Sequence, residues 1–337
     1  MSARAPAHWS RRGGIAVLLL PFSLLFATLA AVRRALYRAG LLRRERLPVP
    51  VVVVGNIAVG GSGKTPVVAW LAEALRGAGF LPGIVSRGYG GRVDGVALVP
   101  ADGDPARYGD EPVLLARLTG CPLAVGRDRP AAARALLDAH PDVNVVIADD
   151  GLQHYALARD VEIVVVDEQV LGNGWRLPAG PLREGVARLA EADLVIAHGD
   201  LSPRLRAAAG GVQIVPMRLS GDVLERIDGG ERRPLSDFAG RRVHAVAGIG
   251  RPQRFFDQLA AAGLDVVPHA FPDHHAYAPS DLAFGGDVAP RIVTAKDAVK
   301  CAAFAPADTW VLPVRASIDA AASQRIVEKL THGTPAA

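Results

Sequence analysis

Residues 49–71 have the sequence VPVVVVGNIAVGGSGKTPVVAWL, in which a glycine-rich segment separates two regular ones. The β-branched run at its start is typical of a short strand buried in a parallel sheet. The pattern after the glycines predicts a helix with Pro66 in its first turn and a glycine stop at Gly77 or Gly79. This strand–loop–helix unit decides the expected fold.

The glycine-rich segment matches a phosphate-binding loop, which has a glycine, four residues and then Gly-Lys-Ser/Thr after a strand. Ala58 occupies the position of the first glycine, and the glycines that follow it supply the flexibility. Backbone N–H groups and the helix N-terminus favour phosphate, Lys64 would contact the outer phosphates, and the Thr65 hydroxyl would bind Mg²⁺. The predicted nucleotide-binding residues are Gly60, Gly61, Ser62, Gly63, Lys64 and Thr65.

The chain beyond this unit alternates apolar runs with helical patterns. The runs are 82–88, 121–126, 143–150, 161–167 and 192–199. Such alternation predicts an α/β fold with a doubly wound parallel sheet that contains the P-loop, followed by a second, smaller α/β domain. The polar stretch 219–242 has an Asp-Gly-Gly turn signal and is predicted to be a linker or a hairpin. The expected division is a membrane-associated N-terminal helix with a basic segment (1–46), a nucleotide-binding domain (47–218), the linker (219–242) and the smaller domain (243–337).

Composition narrows the classes of function. Half of the 337 residues are hydrophobic, which is enough for one large domain or two ordinary ones. The net charge of +4 is modest and its excess lies near the N-terminus, so nucleic acid is not an expected partner. Two cysteines without metal-ligand spacing argue against a disulfide framework and suit a reducing compartment. No pattern indicates an obligate protein partner.

An uncharged apolar segment covers residues 13–32, about the length of a bilayer-spanning helix. Pro21 would kink it, so the segment would either span the bilayer or lie in one leaflet. Six arginines follow it up to Arg46, against three before it, and this asymmetry places its C-terminal side in the cytoplasm. A cleaved secretory signal is the alternative, but a phosphate loop exported away from nucleotide would be useless. We therefore expect attachment to a membrane surface.

Two acidic residues, Asp149 and Asp150, end the apolar run VNVVIADD. P-loop folds place a Mg²⁺-linked acid at such a strand end, although acids there also act as structural caps. With a P-loop upstream, a metal role for one of the pair is favoured. His154 follows four residues later, and a lone histidine is more often structural.

Charged residues in two further stretches are candidates for the site. Arg87 and Arg92 follow a predicted strand, where phosphate-binding groups gather, although surface arginines are common. Asp110 and Glu111 begin a predicted helix, where they either complement its dipole or direct a carboxylate at a substrate hydroxyl.

The segment FPDHHAY contains Asp273, His274 and His275 in the predicted second domain. These residue types bind metals, but no matching cluster stands nearby in the sequence. The segment is either a surface turn or a polar tip that reaches across a cleft between the domains.

Eight stretches together resemble the tetraacyldisaccharide 4'-kinase family, the lipid A kinases of Gram-negative bacteria. They are VPVVVVGNIAVGGSGKTP, SRGYGG, GDEP, ADDGLQH, LPAGPLRE, GIGRPQRFF, FPDHH and TAKDAVK. They occur in family order from about Leu47 to Lys300, and ADDGLQH and LPAGPLRE are far more specific than a P-loop alone. The apolar N-terminus also resembles the membrane-binding segment of the family, and Ala58 is typical of its long loop.

The resemblance implies transfer of the γ-phosphoryl group of ATP to the 4'-hydroxyl of the lipid tetraacyldisaccharide 1-phosphate, which gives lipid IVA. The family motifs imply that Asp110 is the catalytic base and that a histidine of FPDHH is its partner. Of the two histidines, His274 is the favoured one. Because these residues belong to different domains, we expect closure of the cleft to bring them together.

The same resemblance assigns the nucleotide site and the location. Asp149, Asp150 and His154 would serve the Mg²⁺–nucleotide site, and Arg183 of LPAGPLRE would contact phosphate or substrate. The implied location is the cytoplasmic face of the inner membrane.

Without the family resemblance, the residues also allow two other classes of protein. One is a membrane-tethered P-loop GTPase, and the other is a partitioning-type ATPase that acts on protein partners. Guanine selection uses Asn/Thr-Lys-x-Asp, whereas residues 294–297, TAKD, have the wrong spacing. Partitioning ATPases carry a second lysine early in the loop, and this loop has none before Lys64. Both observations favour the kinase.

Overall fold

A computed structural model describes residues 6–332 of the chain. The strands are β1 (Val51–Gly55), β2 (Pro82–Ser86), β3 (Val96–Leu98), β4 (Leu123–Gly126), β5 (Val145–Asp149), β6 (Val161–Asp167), β7 (Leu194–His198), β8 (Ile214–Ser220), β9 (Val223–Arg226), β10 (Arg232–Pro234), β11 (Arg242–Ala247), β12 (Asp265–Ala270), β13 (Arg291–Thr294), β14 (Thr309–Leu312) and β15 (Arg315–Ile318). The helices are α1 (Gly14–Leu18), α2 (Leu20–Arg38), α3 (Lys64–Gly77), α4 (Pro105–Tyr108), α5 (Asp110–Thr119), α6 (Arg129–Ala139), α7 (Pro203–Ala208), α8 (Pro252–Ala261), α9 (Ala295–Cys301) and α10 (Ala320–His332).

The larger sheet has the strand order β15-β8-β7-β6-β1-β5-β2-β4-β3 within the described residues. Its interior is parallel from β8 to β4, and only the edge strands β15 and β3 pair antiparallel. The doubly wound parallel sheet predicted from the alternating pattern is confirmed. Because parallel strands end at one edge of the sheet, their C-terminal residues meet there.

The strand β1 shows why this sheet needs helices on both faces. All five of its residues are buried. Val52 and Val54 pack into the core beneath α3 and α5, whereas Val51 and Val53 pack into the core beneath α6. Successive side chains of a strand point to opposite faces, so a continuous valine run is stable only between two layers of helix.

A smaller sheet has the strand order β10-β9-β14-β13-β11-β12 within the described residues. The stretch 219–242 forms the hairpin β9–β10, which adds to this sheet and is not a free linker. At the other end, β15 pairs with β8 in the larger sheet and α10 packs on α3. The expected boundary at residue 243 therefore differs from the structure, in which residues 223–312 form the smaller unit and the C-terminal residues return to the larger one.

The apolar N-terminal segment forms α1 and α2, which are separated at Leu19, and Pro21 lies in the first turn of α2. The Ser23 hydroxyl donates a hydrogen bond to the Arg176 carbonyl and accepts one from the Ala179 N–H, and these contacts hold α2 to the body. By length and composition, α2 is suited to cross a membrane, and very little of it is buried.

Candidate active site

The ends of four neighbouring strands place the predicted groups side by side. Val54 pairs with Asp149 in the β1–β5 ladder, so this carboxylate lies beside the start of the glycine-rich loop. Ser86 ends β2 on the far side and donates from Oγ to Oδ2 of Asp149 at 2.8 Å. Asp167 ends β6 on the other flank of β1. This edge carries the site, as expected for an open parallel sheet.

The glycine-rich loop joins β1 directly to α3. Gly63, the residue before the helix, has φ +86°, and Lys64 begins the helix. A Cβ at Gly55 would lie 2.6 Å from the Cβ of Leu152, so only glycine permits this close approach to the turn after Asp149. The Asn56 side chain donates to the Ser62 Oγ at 3.0 Å and holds the loop from inside. The strand–loop–helix unit that the sequence predicted is therefore present, and phosphate binding by its loop stays a prediction.

Asp150 lies between two cations. Its Oδ1 is 3.4 Å from the Nζ of Lys64, and both of its carboxylate oxygens accept hydrogen bonds from the Arg183 guanidinium, at 3.1 and 2.9 Å. Burial opposes ionisation, but the charges of Lys64 and Arg183 outweigh it and hold the pKa of Asp150 down to about 2. Asp150 is therefore an anion that keeps Lys64 and Arg183 together.

Asp149 is almost fully buried and has a different electrostatic environment. Burial raises its pKa to about 6, and the negative charges of Glu111 and Asp150 act in the same direction. A cation bound here would favour the ionised form. Hard divalent ions prefer such carboxylate and hydroxyl oxygens, so the oxygen donors of this region suit Mg²⁺.

His154 lies in a basic environment. Its Nδ1 is buried without a hydrogen-bond partner in the described structure. Burial, together with the charges of Arg129 and Arg33, lowers the pKa of His154 to about 4, so the imidazole is neutral at pH 7. Arg129 is itself buried and donates to the Gly126 carbonyl at 2.6 Å.

A second cluster forms where α5 begins. Asp110 is 5% exposed, and Oδ1 accepts a hydrogen bond from the Glu111 N–H at 2.9 Å. Nδ1 of His274, from the smaller sheet's loop, lies 3.0 Å from each carboxylate oxygen of Asp110. Lys296 from α9 contacts Glu111 at 2.9 Å and Asp273 at 3.1 Å. Four of these five residues were already candidates in the sequence.

The electrostatics of this cluster favour the ionised pair. Burial opposes ionisation of Asp110, but the hydrogen bond from His274 and the charge of Lys296 outweigh it and lower the pKa of Asp110. The hydrogen bond to Asp110 raises the pKa of His274 against the effect of burial. The carboxylate is therefore ionised and held in one orientation, as a base must be before it can take up a proton.

Further contacts connect the two units beside the loop. Asp167, which is fully buried, accepts from Arg251 at 3.0 Å and from Arg254 at 2.6 Å, and both arginines also contact Gln169. Burial opposes ionisation of Asp167, but hydrogen bonds from His198 and Arg254 outweigh it and lower its pKa to about 2.

Three of the predicted residues are less directly involved. Arg87 and Arg92 are exposed, although the charge of Arg87 still acts on His154 and Arg129. His275 contacts Asp281 at 2.9 Å within the smaller unit and stacks on Phe271, so it is not the partner of Asp110.

The TAKD stretch has a structural role at its aspartate. Asp297 is fully buried and accepts hydrogen bonds from the Thr294 hydroxyl and the Gly248 N–H, at 2.6 and 2.9 Å. It fixes the start of α9 and is not free to bind guanine. The guanine-binding alternative therefore lacks its selecting carboxylate.

The sequence reasoning missed three contributors to the site, Asn56, Arg129 and Lys296. Lys296 lies in the stretch TAKDAVK, which contributed to the family resemblance but gave no role to this lysine, and its partner Glu111 is 185 positions away. Local patterns carry no signal for such a contact. For Arg129, the only local signal in the sequence was its position at the start of a helix that follows a buried strand.

A phosphate loop on a doubly wound sheet, with paired acids at the next strand end, defines a P-loop nucleotide-binding protein, and the Asp110–His274 pair beside it suits phosphoryl transfer. The family model for tetraacyldisaccharide-1-P 4'-kinase matches residues 15–331. The chain belongs to the tetraacyldisaccharide 4'-kinase family, and it is a lipid A kinase that uses ATP.

Individual relatives agree along the whole chain. The tetraacyldisaccharide 4'-kinase of Aromatoleum aromaticum is 63% identical over 337 residues, covering 100% of both chains. That of Azoarcus is 63% identical, over 99% of this chain and 97% of the relative. The crystal structure of LpxK from Aquifex aeolicus in complex with ATP is 28% identical and superposes with a TM-score of 0.79, covering 94% of this chain and 99% of that one.

Proposed function

We propose that this chain transfers the γ-phosphoryl group of ATP to the 4'-hydroxyl of tetraacyldisaccharide 1-phosphate at the cytoplasmic face of the inner membrane, with Asp110 as the base. The observation that carries the assignment of roles is the contact between Asp110 and His274, because it joins a buried carboxylate of the nucleotide-binding unit to a group of the smaller unit.

The nucleotide would bind in the glycine-rich loop. The backbone N–H groups of residues 60–65 and the N-terminus of α3 favour the phosphates, and Lys64 supplies a cation for the outer ones. Thr65, Asp149 and Asp150 would hold Mg²⁺, which would neutralise phosphate charge when bound. Arg183 keeps Asp150 in position, as its two hydrogen bonds indicate.

The transfer step needs a base near the acceptor hydroxyl. The 4'-oxygen forms a bond to the γ-phosphorus, the bond between that phosphorus and the β–γ bridging oxygen breaks, and ADP leaves. The hydroxyl proton passes to a carboxylate oxygen of Asp110. His274 holds this carboxylate in place, and its imidazolium form stabilises the anion until the proton arrives.

Attachment to the membrane follows from the nature of the acceptor. Removing a buried acyl chain from a bilayer costs about 0.8 kcal/mol per CH₂, so a lipid with four chains stays in the membrane. The helices α1 and α2 expose large apolar side chains: Ile15, Leu18, Phe22, Leu24, Leu25, Leu29 and Val32. The arginines that follow suit anionic headgroups on the cytoplasmic side.

The test is transfer of label from γ-labelled ATP to detergent-dispersed tetraacyldisaccharide 1-phosphate. We expect label in the lipid with the wild type and almost none with Lys64→Met, whereas Lys329→Met, a substitution in an exposed pair with Asp193, should behave as wild type. ATP hydrolysis of equal rate with and without lipid, and no labelled lipid, would refute the proposal.

A further inference from the structure

Lys296 is a largely buried cation beside Asp110, and neither the P-loop nor the pair of Asp110 and His274 accounts for its presence there. Its side chain is 15% exposed, and its Nζ lies 2.9 Å from Oε1 of Glu111, 3.1 Å from Oδ1 of Asp273 and 3.9 Å from Oδ2 of Asp110. Two of these carboxylates belong to the larger unit and one to the smaller. One ammonium group therefore joins both units at the base.

The helix that carries Lys296 is fixed in place. Thr294 caps α9 by accepting from the Asp297 N–H, and Asp297 also accepts from the Gly248 N–H at the end of β11. On the next turn, Lys300 pairs with Asp297 at 2.8 Å. Because this buried network fixes the first turn, the ammonium group of Lys296 is directed at α5 with little freedom.

The charges around Asp110 explain why a cation is needed there. Three carboxylates meet at this point, and without a cation their repulsion would favour protonation of one of them. A protonated Asp110 is too weakly basic to take a hydroxyl proton, so it could not act as the base. His274 offers one partner, but its own charge changes with pH, whereas a lysine ammonium stays charged.

We propose that Lys296 is a positioning residue for phosphoryl transfer, which holds Asp110 ionised and oriented only when the smaller unit lies against α5. This inference rests on the proposed role of Asp110 as the base. Asp110 is faced by the charged groups of His274, Lys296 and Lys300. Lys296 is faced by the carboxylates of Asp110, Glu111 and Asp273. His274 is faced by Asp110, Lys296 and Asp273 and by the ring of Tyr89.

The test compares Lys296→Met and Lys296→Arg with wild type and with the matched surface variant Lys329→Met. We expect Lys296→Met to lower kcat by about 10- to 100-fold, with the KM for ATP changed less than about threefold. The acid limb of its pH–kcat profile should move to higher pH, because Asp110 loses a neighbouring cation. Lys296→Arg should recover most of the rate, since it keeps the charge. Lys296→Gln replaces the methionine variant if that protein does not fold.

A second readout does not depend on turnover. In the full chain with labelled histidines, the imidazole signal of His274, assigned by its loss in His274→Gln, should titrate at higher pH in Lys296→Met than in wild type, because a neighbouring cation has been removed. Any one of three results would overturn the role of Lys296. In Lys296→Met, the His274 titration or the acid limb of the pH–kcat profile could be the same as in wild type. Alternatively, Lys296→Arg could lose as much rate as Lys296→Met. Absence of lipid phosphorylation by the wild type, with the shifted titration still present, would instead refute the proposed function while supporting the electrostatic role.

Discussion

Nδ1 of His274 lies 3.0 Å from both carboxylate oxygens of Asp110, although 164 positions separate the two residues in the chain. Asp110 opens a helix of the larger unit, whereas His274 has φ +60° in a loop of the smaller one. A non-glycine residue in this region of backbone space is held by its surroundings. Here the Asp273 carboxylate accepts from the His274 N–H at 3.0 Å and holds that conformation.

Asp110→Asn should remove the base while keeping the size of the side chain. We expect kcat to fall by about 10²- to 10⁴-fold, the usual contribution of general base catalysis, with ATP affinity unchanged. Steady-state transfer to lipid and equilibrium binding of ATP measure the two effects. Asp228→Asn, in an exposed pair with Arg226, is the control. A variant that keeps more than about a tenth of the rate would exclude Asp110 as the base.

The stability supplied by the Asp110–His274 pair should depend on pH. The pKa of His274 is raised on folding, so its contribution is complete below its ordinary value of 6.5 and is lost as pH rises through the folded value. The pKa of Asp110 is lowered, so its contribution is complete above 3.8 and is lost as pH falls through the folded value. Both are present between about pH 4 and pH 6.5.

The difference in Tm between wild type and His274→Gln should therefore be largest in this window and decrease toward pH 8. Thermal unfolding in matched buffers measures it. His140→Gln, an exposed histidine at the end of α6, should show no such dependence. A constant difference across the range would show that the pair is not coupled to protonation.

Asp167→Asn should weaken the contact between the two units. Because the carboxylate is buried and its arginine partners are about one-third exposed, we expect a loss of about 1–3 kcal/mol in unfolding free energy. Urea unfolding measures the loss. The surface variant Asp228→Asn serves again as the control, and equal stability of the two variants would show that the cluster contributes nothing.

Replacing Leu25 and Leu29 by aspartate should abolish binding to vesicles. Both side chains are exposed on α2 in the structure, so the folded body should tolerate the change, whereas the bilayer should not accept the charges. Sedimentation with anionic vesicles measures binding, and ATP affinity measures folding. Leu81→Asp, also at an exposed leucine, is the matched control. Vesicle binding equal to that of wild type would place the membrane contact elsewhere.

The sequence predicted the larger sheet because its signals are local. Buried β-branched runs, glycine stops and the Gly-Lys-Thr of the loop each lie within a few residues of the element they define. The return of β15 to this sheet was not predicted, because residues 315–318, RASI, lack a strong apolar run and pair only through their antiparallel contact with β8.

The residues of the site also divide into those with a local signal in the sequence and those without one. Lys64, Asp149 and Asp150 follow from strand ends and from a motif, whereas the pairing of Asp110 with His274 was expected only through resemblance to a family. Lys296, Arg251 and Arg254 act across the two units, and no spacing along the chain indicates which residues face them.

The chain passes between the units twice, at residues 221–222 and 313–314, and the two passages touch where a Cβ at Gly221 would lie 2.5 Å from the Pro313 carbonyl. On either side of them the strands pair antiparallel, β8 with β15 and β9 with β14. We expect a double connection of this kind to bend more easily than it twists, because two chain passages must move together in a twist. We therefore expect the smaller unit to approach along one arc when the cleft closes, which would bring His274 back to the same two oxygens of Asp110.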